Sequence, residues 1–326
     1  MQVGIDSFAV HPLELAPAAQ LEWAKANGFD GVQFGGVAGL TTDRDPGPLR
    51  ALRAEADALG LYTHVGVGGC NPHFTGQPPG DLATALRAHV ALAAAAGWHE
   101  LHGLLGGPRE RFDLPVPFAR QLDDSAAVLA DVAPVLRAHG SRINLETHAD
   151  ATTFELVRLV ERVGPDVLGI CLDTANVVLH GEHPTRAARR AAPYVHMVHL
   201  KDCILWPVPE GLRRQTCPPG QGVIDWPAVL GALRATSPDL PLSIEDHKWL
   251  FDAAVFDDRW HALHPDLPRD ELAAVFGLAC ACHRQILDGT RPDPAAVEAV
   301  DYAIDMHDRL TAGRTYLRGL DAPRRR

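Results

Sequence analysis

The sequence has no surplus of basic charge. Its 30 Lys and Arg stand against 41 Asp and Glu, a formal net charge of −11 with His neutral. Non-specific attraction to nucleic acid or to an anionic membrane needs a basic surface, so neither is expected as a partner. The three arginines at 324–326 read as a solvated tail. No CxxC pair occurs among the six cysteines Cys70, Cys171, Cys203, Cys217, Cys280 and Cys282. Scattered in this way they read as reduced thiols of a cytoplasmic protein. No basic segment followed by a long apolar run opens the chain, so no export signal is read. The longest alanine-rich stretch, "VALAAAAGW", is too short to span a bilayer. Nor does a Gly/Ser-rich linker divide the 326 residues, which favours one domain.

What is present is a rhythm. Short apolar runs alternate with helix-period segments, the pattern of βαβ units around a parallel sheet. Strands are predicted at 3–8, 31–35, 61–67, 100–105, 142–148, 167–173, 194–200 and 241–246. Helices between them are expected to end on Gly28, Gly60, Gly140 and Gly164 in left-handed conformations. Eight such beats fit an α/β fold of the (β/α)8 TIM-barrel type. The competing doubly wound sheet would show a glycine-rich phosphate loop after the first strand, and "VGIDSFAVHP" has none. The expected layout is a barrel over 1–290, ending in a long loop and eighth helix after 250, then a C-terminal helical extension and basic tail over 291–326. A helix is expected there at about 295–318.

Barrel chemistry sits at the C-terminal ends of the strands. Four consecutive predicted strands end there in metal-capable side chains: Glu146 after "INL", Asp173 after "GICL", His199 in "MVHLKD" and Glu245 in "LSIEDH". Three carboxylates and one imidazole form an oxygen-rich set. It suits Mn²⁺, with Mg²⁺, Co²⁺ and Zn²⁺ as alternatives. His148 shares the strand face of Glu146 and can act as a general base or acid near neutral pH.

The ordered motifs "LETH", "CLDTAN", "VHLKD", "PPGQGVIDW" and "SIEDH" resemble those of the xylose isomerase-like barrels, the sugar phosphate isomerases and epimerases. The resemblance covers residues 1–290 in architecture and is most specific between 142 and 247. It implies one divalent metal held by Glu146, Asp173, His199 and Glu245. It also implies a keto-sugar substrate that loses a proton beside its carbonyl, with Glu146 and Glu245 as the usual acid–base pair. The epimerase pattern is broken at three positions: Asn176 stands for a histidine, Leu205 for an arginine and Thr152 for a glutamate. Simple 3-epimerisation is thereby put in doubt. The extended segment "HPDLPRDELAAVFGLA" is similar to the branch that cleaves C–C bonds of 3-oxo sugars, including 3-oxo-isoapionate-type decarboxylases and the large subunit of C-glycoside deglycosidases.

The expected activity is therefore that of a carbohydrate lyase, with a ketose isomerase or 3-epimerase as the alternative. A phosphodiesterase like endonuclease IV is the remote alternative, since Asn176 and Met197 replace ligands of its zinc cluster. Expected catalytic residues are Glu146, His148 and Glu245. His64, His73, Asn176 and His247 are expected to meet the substrate, with Asn71 beside them and His11 and Trp249 as walls. His196 reads as structural, Cys171 as a small packed residue and Lys201 as a lysine reaching solvent. A small-molecule carbohydrate or glycoside is the expected partner, in a homo-oligomer or beside a small accessory subunit.

Overall fold

The structure is a computed structural model that describes residues 1–41 and 44–321. Among the described residues eleven strands are formed: β1 (Val3–Asp6), β2 (Gly31–Gly36), β3 (Tyr62–Gly69), β4 (Glu100–Leu104), β5 (Arg142–Glu146), β6 (Leu168–Asp173), β7 (Val195–Leu200), β8 (Asp202–Val208), β9 (Gly211–Cys217), β10 (Leu242–Ile244) and β11 (Leu250–Ala253). Eight of them close into a barrel in the order β1-β10-β7-β6-β5-β4-β3-β2, every neighbour parallel. Such strands are covered on both faces, by the barrel interior and by the helices, which is why their sequences are nearly continuous apolar runs. All six residues of β6 are buried. Each aliphatic side chain withdrawn from water in this core contributes about 1.5–3 kcal/mol.

The strands stop where a polar residue finds a local partner. β1 ends at Asp6, whose carboxylate accepts from the Phe8 amide and turns the chain into the 3-10 segment Ser7–Leu13. Gly28, Gly60 and Gly140 take the left-handed conformation at helix ends; Gly164 does not, with φ 135° and ψ 124°.

Immediately after β7 the chain builds a feature that the sequence reading did not contain. β8 and β9 form an antiparallel hairpin, and β11 adds to β9, so a three-stranded sheet stands at the barrel mouth. Its tight approach depends on Gly211, φ 156°, where a Cβ would lie 2.2 Å from the Ala253 carbonyl oxygen. The region after 250 is thus a strand, a short helix Asp258–Ala262 and a long helix Arg269–Leu287, rather than a loop and one helix. The expected C-terminal helix is two, Pro294–Ala299 and Tyr302–Gly319, separated where Asp301 caps the second. Met306, Leu310 and Leu317 of that last helix enter the same core as β1 and β10. Among the described residues no helix is long and apolar enough to cross a membrane.

Candidate metal centre and active site

Because neighbouring barrel strands are in register, their last residues meet. Asp173 pairs with His199, and His199 with Ser243, two residues before Glu245. One ligand atom from each of Glu146, Asp173, His199 and Glu245 lies within 4.8 Å of the others. The structure therefore brings together the four side chains singled out at the strand ends.

Each of the four has one polar atom held by a neighbouring hydrogen bond or polar contact and one that is bare of hydrogen bonds, though two of the latter lie beside the Lys201 ammonium. Glu146 Oε2 accepts from His102 Nε2 at 2.9 Å. Asp173 Oδ1 accepts from the amides of Ala175 and Asn176 at 2.9 and 3.0 Å. Glu245 Oε1 lies 3.5 Å from His247 Nε2. His199 Nε2 faces the side-chain amide of Gln33 at 2.5 Å. There two nitrogens meet while Gln33 Oε1 is buried without a partner. Turning the amide over lets Oε1 accept the Nε2 proton and leaves Nδ1 with its lone pair. The remaining atoms, Glu146 Oε1, Asp173 Oδ2, His199 Nδ1 and Glu245 Oε2, are buried and make no directional hydrogen bond. His199 Nδ1 is 2.8 Å from Glu245 Oε2 and 3.4 Å from Glu146 Oε1. Lone pairs crowded so closely need positive charge among them. This donor set fits a divalent cation with room for further oxygen ligands.

Lys201 supplies part of that charge. Far from reaching solvent, it is 3% exposed, because β8 begins at the next residue and keeps the chain in the fold. Its Nζ lies 2.8 Å from Asp173 Oδ2 and 3.0 Å from Glu245 Oε2. Burial opposes its charge, but Asp173 and then Glu245 raise its pKa above the usual lysine value. Three carboxylates against one ammonium leave two negative charges, which one divalent ion balances.

The electrostatics agree with ionised carboxylates. Burial would raise the pKa of Glu146, yet His199, His148 and His102 hold it well below the usual range. Burial of Glu245 is likewise outweighed, by Lys201 and His199. Burial would lower the pKa of His199, while Cys171, Glu245 and Glu146 around it push it well up. Asp6, from β1, is pushed up to about 6, mainly by burial.

Above these atoms opens a cavity of about 580 Å³. His148 lines it, and its Nδ1 is 2.8 Å from the Gly106 carbonyl. That bond makes Nδ1 the protonated nitrogen and leaves the Nε2 lone pair available. His247 and Asn176 line the cavity as well, as do His11 and Trp249. His64 and His73 do not. His64 is inside the barrel beside Tyr62, its pKa lowered to about 4 by burial. His73 pairs with Asp124 at 2.9 Å, and Asn71 is buried against Gln121. Cys171 is a buried thiol pushed up to about 11 by burial.

Sequence reasoning missed His102, Gln33, Lys201 and Arg214. The first two lie within strands read correctly, on the face that looks into the barrel; the signal was a polar side chain inside an otherwise apolar run. Arg214 gave no such signal, because it belongs to the hairpin. It lies on β9 directly across from Leu205, the position where the epimerase pattern has arginine. The guanidinium thus enters the mouth from the opposite strand.

Comparisons with known proteins bear on the fold and the family. The chain is 33% identical over 124 residues to YihM of Escherichia coli K12, covering 37% of this chain and 38% of that protein. The chain thus spans well under half of that relative. It is 24% identical over 266 residues to 3-oxo-isoapionate decarboxylase of Pectobacterium atrosepticum, covering 77% of this chain and 86% of that one. Among solved structures, D-psicose 3-epimerase in the presence of D-fructose superposes with a TM-score of 0.65 at 17% identity, over 98% of this chain and 99% of that one. A Mycobacterium smegmatis barrel in complex with magnesium superposes with a TM-score of 0.59 at 15% identity, over 84% and 97%. The family model described as xylose isomerase-like TIM barrel matches residues 21–258. This chain belongs to that family.

Proposed function

We propose that the protein is a divalent-metal-dependent enzyme that removes a proton beside the carbonyl of a keto-sugar, with lyase action on a 3-oxo sugar as its reaction. The observation that carries this reading is the convergence of four bare ligand atoms beneath a cavity lined by His148. Glu146, Asp173, His199 and Glu245 would hold the ion, Mn²⁺ best suiting an oxygen-rich set. When bound, a divalent ion supplies positive charge that favours the negative charge developing as a proton leaves carbon next to a carbonyl.

The chain's own residues provide the rest. His148 offers an open imidazole lone pair at Nε2 and is the base; its Nδ1 proton is held by Gly106. Glu146 and Glu245, kept ionised by their neighbours, are placed to relay a proton through His102 and His247. The apolar wall of Phe8, Phe34 and Trp249 limits water around the reacting carbon. When the bond broken is that to a carboxylate, no carbon-bound proton is taken: the electron pair of that C–C bond passes to the carbonyl oxygen as carbon dioxide leaves, and the enolate carbon then accepts a proton, for which protonated His148 is placed as the acid.

Lyase action is supported by the similarity to the Pectobacterium decarboxylase over most of both chains. It is also supported by Asn176, Leu205 and Thr152, which depart from the epimerase substrate set. Ketose isomerisation or 3-epimerisation is the second reading, favoured by the whole-chain superposition on D-psicose 3-epimerase. The test is incubation of manganese-loaded protein with 3-oxo sugars and ketoses in deuterium oxide. Fragmentation is the expected result; deuterium incorporation with the carbon skeleton intact would move the assignment to the isomerase reading.

A further inference from the structure

Two adjacent arginines on β9 are held in opposite ways. Arg213 points to solvent and is paired bidentately with Asp252, at 2.5 and 2.6 Å. Arg214 points inward, is 1% exposed and lines the cavity. Among the described residues it makes no salt bridge. Its one side-chain hydrogen bond is Nη1 to the neutral Asn176 Oδ1 at 2.9 Å, and its Nε is buried without a partner. The aromatic ring of Phe251 lies 5.1 Å from the guanidinium carbon.

A guanidinium keeps its proton at any ordinary pH and carries five donors in a planar fork. Its close partners are a neutral amide and a ring, and the Asp173 and Glu245 carboxylates act on it only from beyond salt-bridge distance; donors left unmet in this way cost stability unless an anion arrives. Lys201 cannot serve in its place, since Asp173 and Glu245 already hold it. We infer that Arg214 is a carboxylate-binding residue, and that the substrate is a keto-sugar acid. This rests on the keto-sugar reading above and narrows it to acidic members. A planar carboxylate matches the fork two bonds to two; a phosphate, which an arginine also holds, would bring a second charge for which Lys201, already held by Asp173 and Glu245, is not free.

The test measures binding by calorimetry to the full-length, manganese-loaded protein. The probes are D-fructose, D-fructose 6-phosphate, D-fructuronate and 2-keto-D-gluconate, the last two placing a carboxylate at either end of one carbon chain. At least one acid is expected to bind tenfold or more tightly than fructose. Arg214→Met should abolish that preference, while Arg214→Lys should keep part of it. The inference is overturned if neither acid outbinds fructose. It is also overturned if the preference survives in Arg214→Met, which would assign it to the metal, or if the phosphate binds best. Proton exchange beside the carbonyl, followed in deuterium oxide with the same probes, reports on the proposed activity separately. Exchange with fructose and no acid preference would sink this inference alone.

Discussion

Glu245 and Asp246 are consecutive residues just past the end of β10, and the protein treats them oppositely. Asp246 turns outward, fully buried, and both its oxygens accept from Arg309 of the C-terminal helix, at 2.9 and 2.7 Å. Glu245 turns inward with Oε2 bare. The same contrast repeats one strand earlier. Lys201 faces the cavity, while Asp202 accepts from the amides of Cys203, Gly220, Gly222 and Ile224 and from the Trp226 indole. Saturated carboxylates fasten the loops to the barrel; half-satisfied ones, gathered at one point, are available for chemistry. Asp150 supplies a control for that rule. Both its oxygens are buried without a side-chain partner, but among the described residues no other metal-capable side chains gather round it, so an orphaned carboxylate alone does not make a centre.

The largest effects should come from the bare set. Glu245→Gln or Asp173→Asn is expected to remove tight metal and lower turnover by about 10³-fold or more, from the loss of electrostatic stabilisation. The fold should be retained, since in either variant the buried Lys201 keeps one of its two carboxylate partners. Elemental analysis and proton-exchange rates check this, and one metal per chain in Glu245→Gln would break the contrast. Next, His148→Gln should lower turnover by about 10²–10⁴-fold with metal content unchanged, the usual range for a lost general base. A variant short of metal would instead place His148 among the ligands.

On the saturated side the expected loss is of stability. Arg309→Met leaves Asp246 as a buried unpaired carboxylate, at a cost of about 3–5 kcal/mol in unfolding free energy. Metal bound per folded chain should stay the same. Denaturant melts beside metal analysis decide the matter; loss of metal at full stability would show that Asp246 supports the centre rather than the loops.

These predictions rest on features of unequal visibility in the sequence. The barrel was legible because its strands are short, apolar and separated by amphipathic helices, all local signals. The four ligand candidates were legible because strand ends in a closed barrel have to meet. Lys201 was misread: its fate depends on the following hairpin, whose pairing is set by contacts between residues 202–217 and 250–253. Arg214 was invisible for the same reason, since Leu205 and Arg214 are neighbours only across that hairpin. His73 carried a strand-end signal but found Asp124 on the helix Phe118–His139, a long-range pairing that no local pattern contains.

The smallest effect concerns the control. Burial pushes the Asp150 carboxyl up to about 7 from 3.8. Between those values the folded chain holds a proton that the unfolded chain has released, so this residue's share of stability falls as pH rises through 3.8 to 7. Asp150→Asn should therefore raise unfolding free energy at pH 8 by a few kcal/mol at most and leave pH 3 unchanged. Melting at the two pH values checks it; a loss of stability at pH 8 would mean that Asp150 is held by a partner, as Asp246 is.

The most direct measurement is diffraction from crystals grown with manganese, recorded at the manganese absorption edge. The account requires one anomalous peak, bounded by Glu146 Oε1, Asp173 Oδ2, His199 Nδ1 and Glu245 Oε2. A peak elsewhere, or none at that point in crystals saturated with the ion, would contradict it.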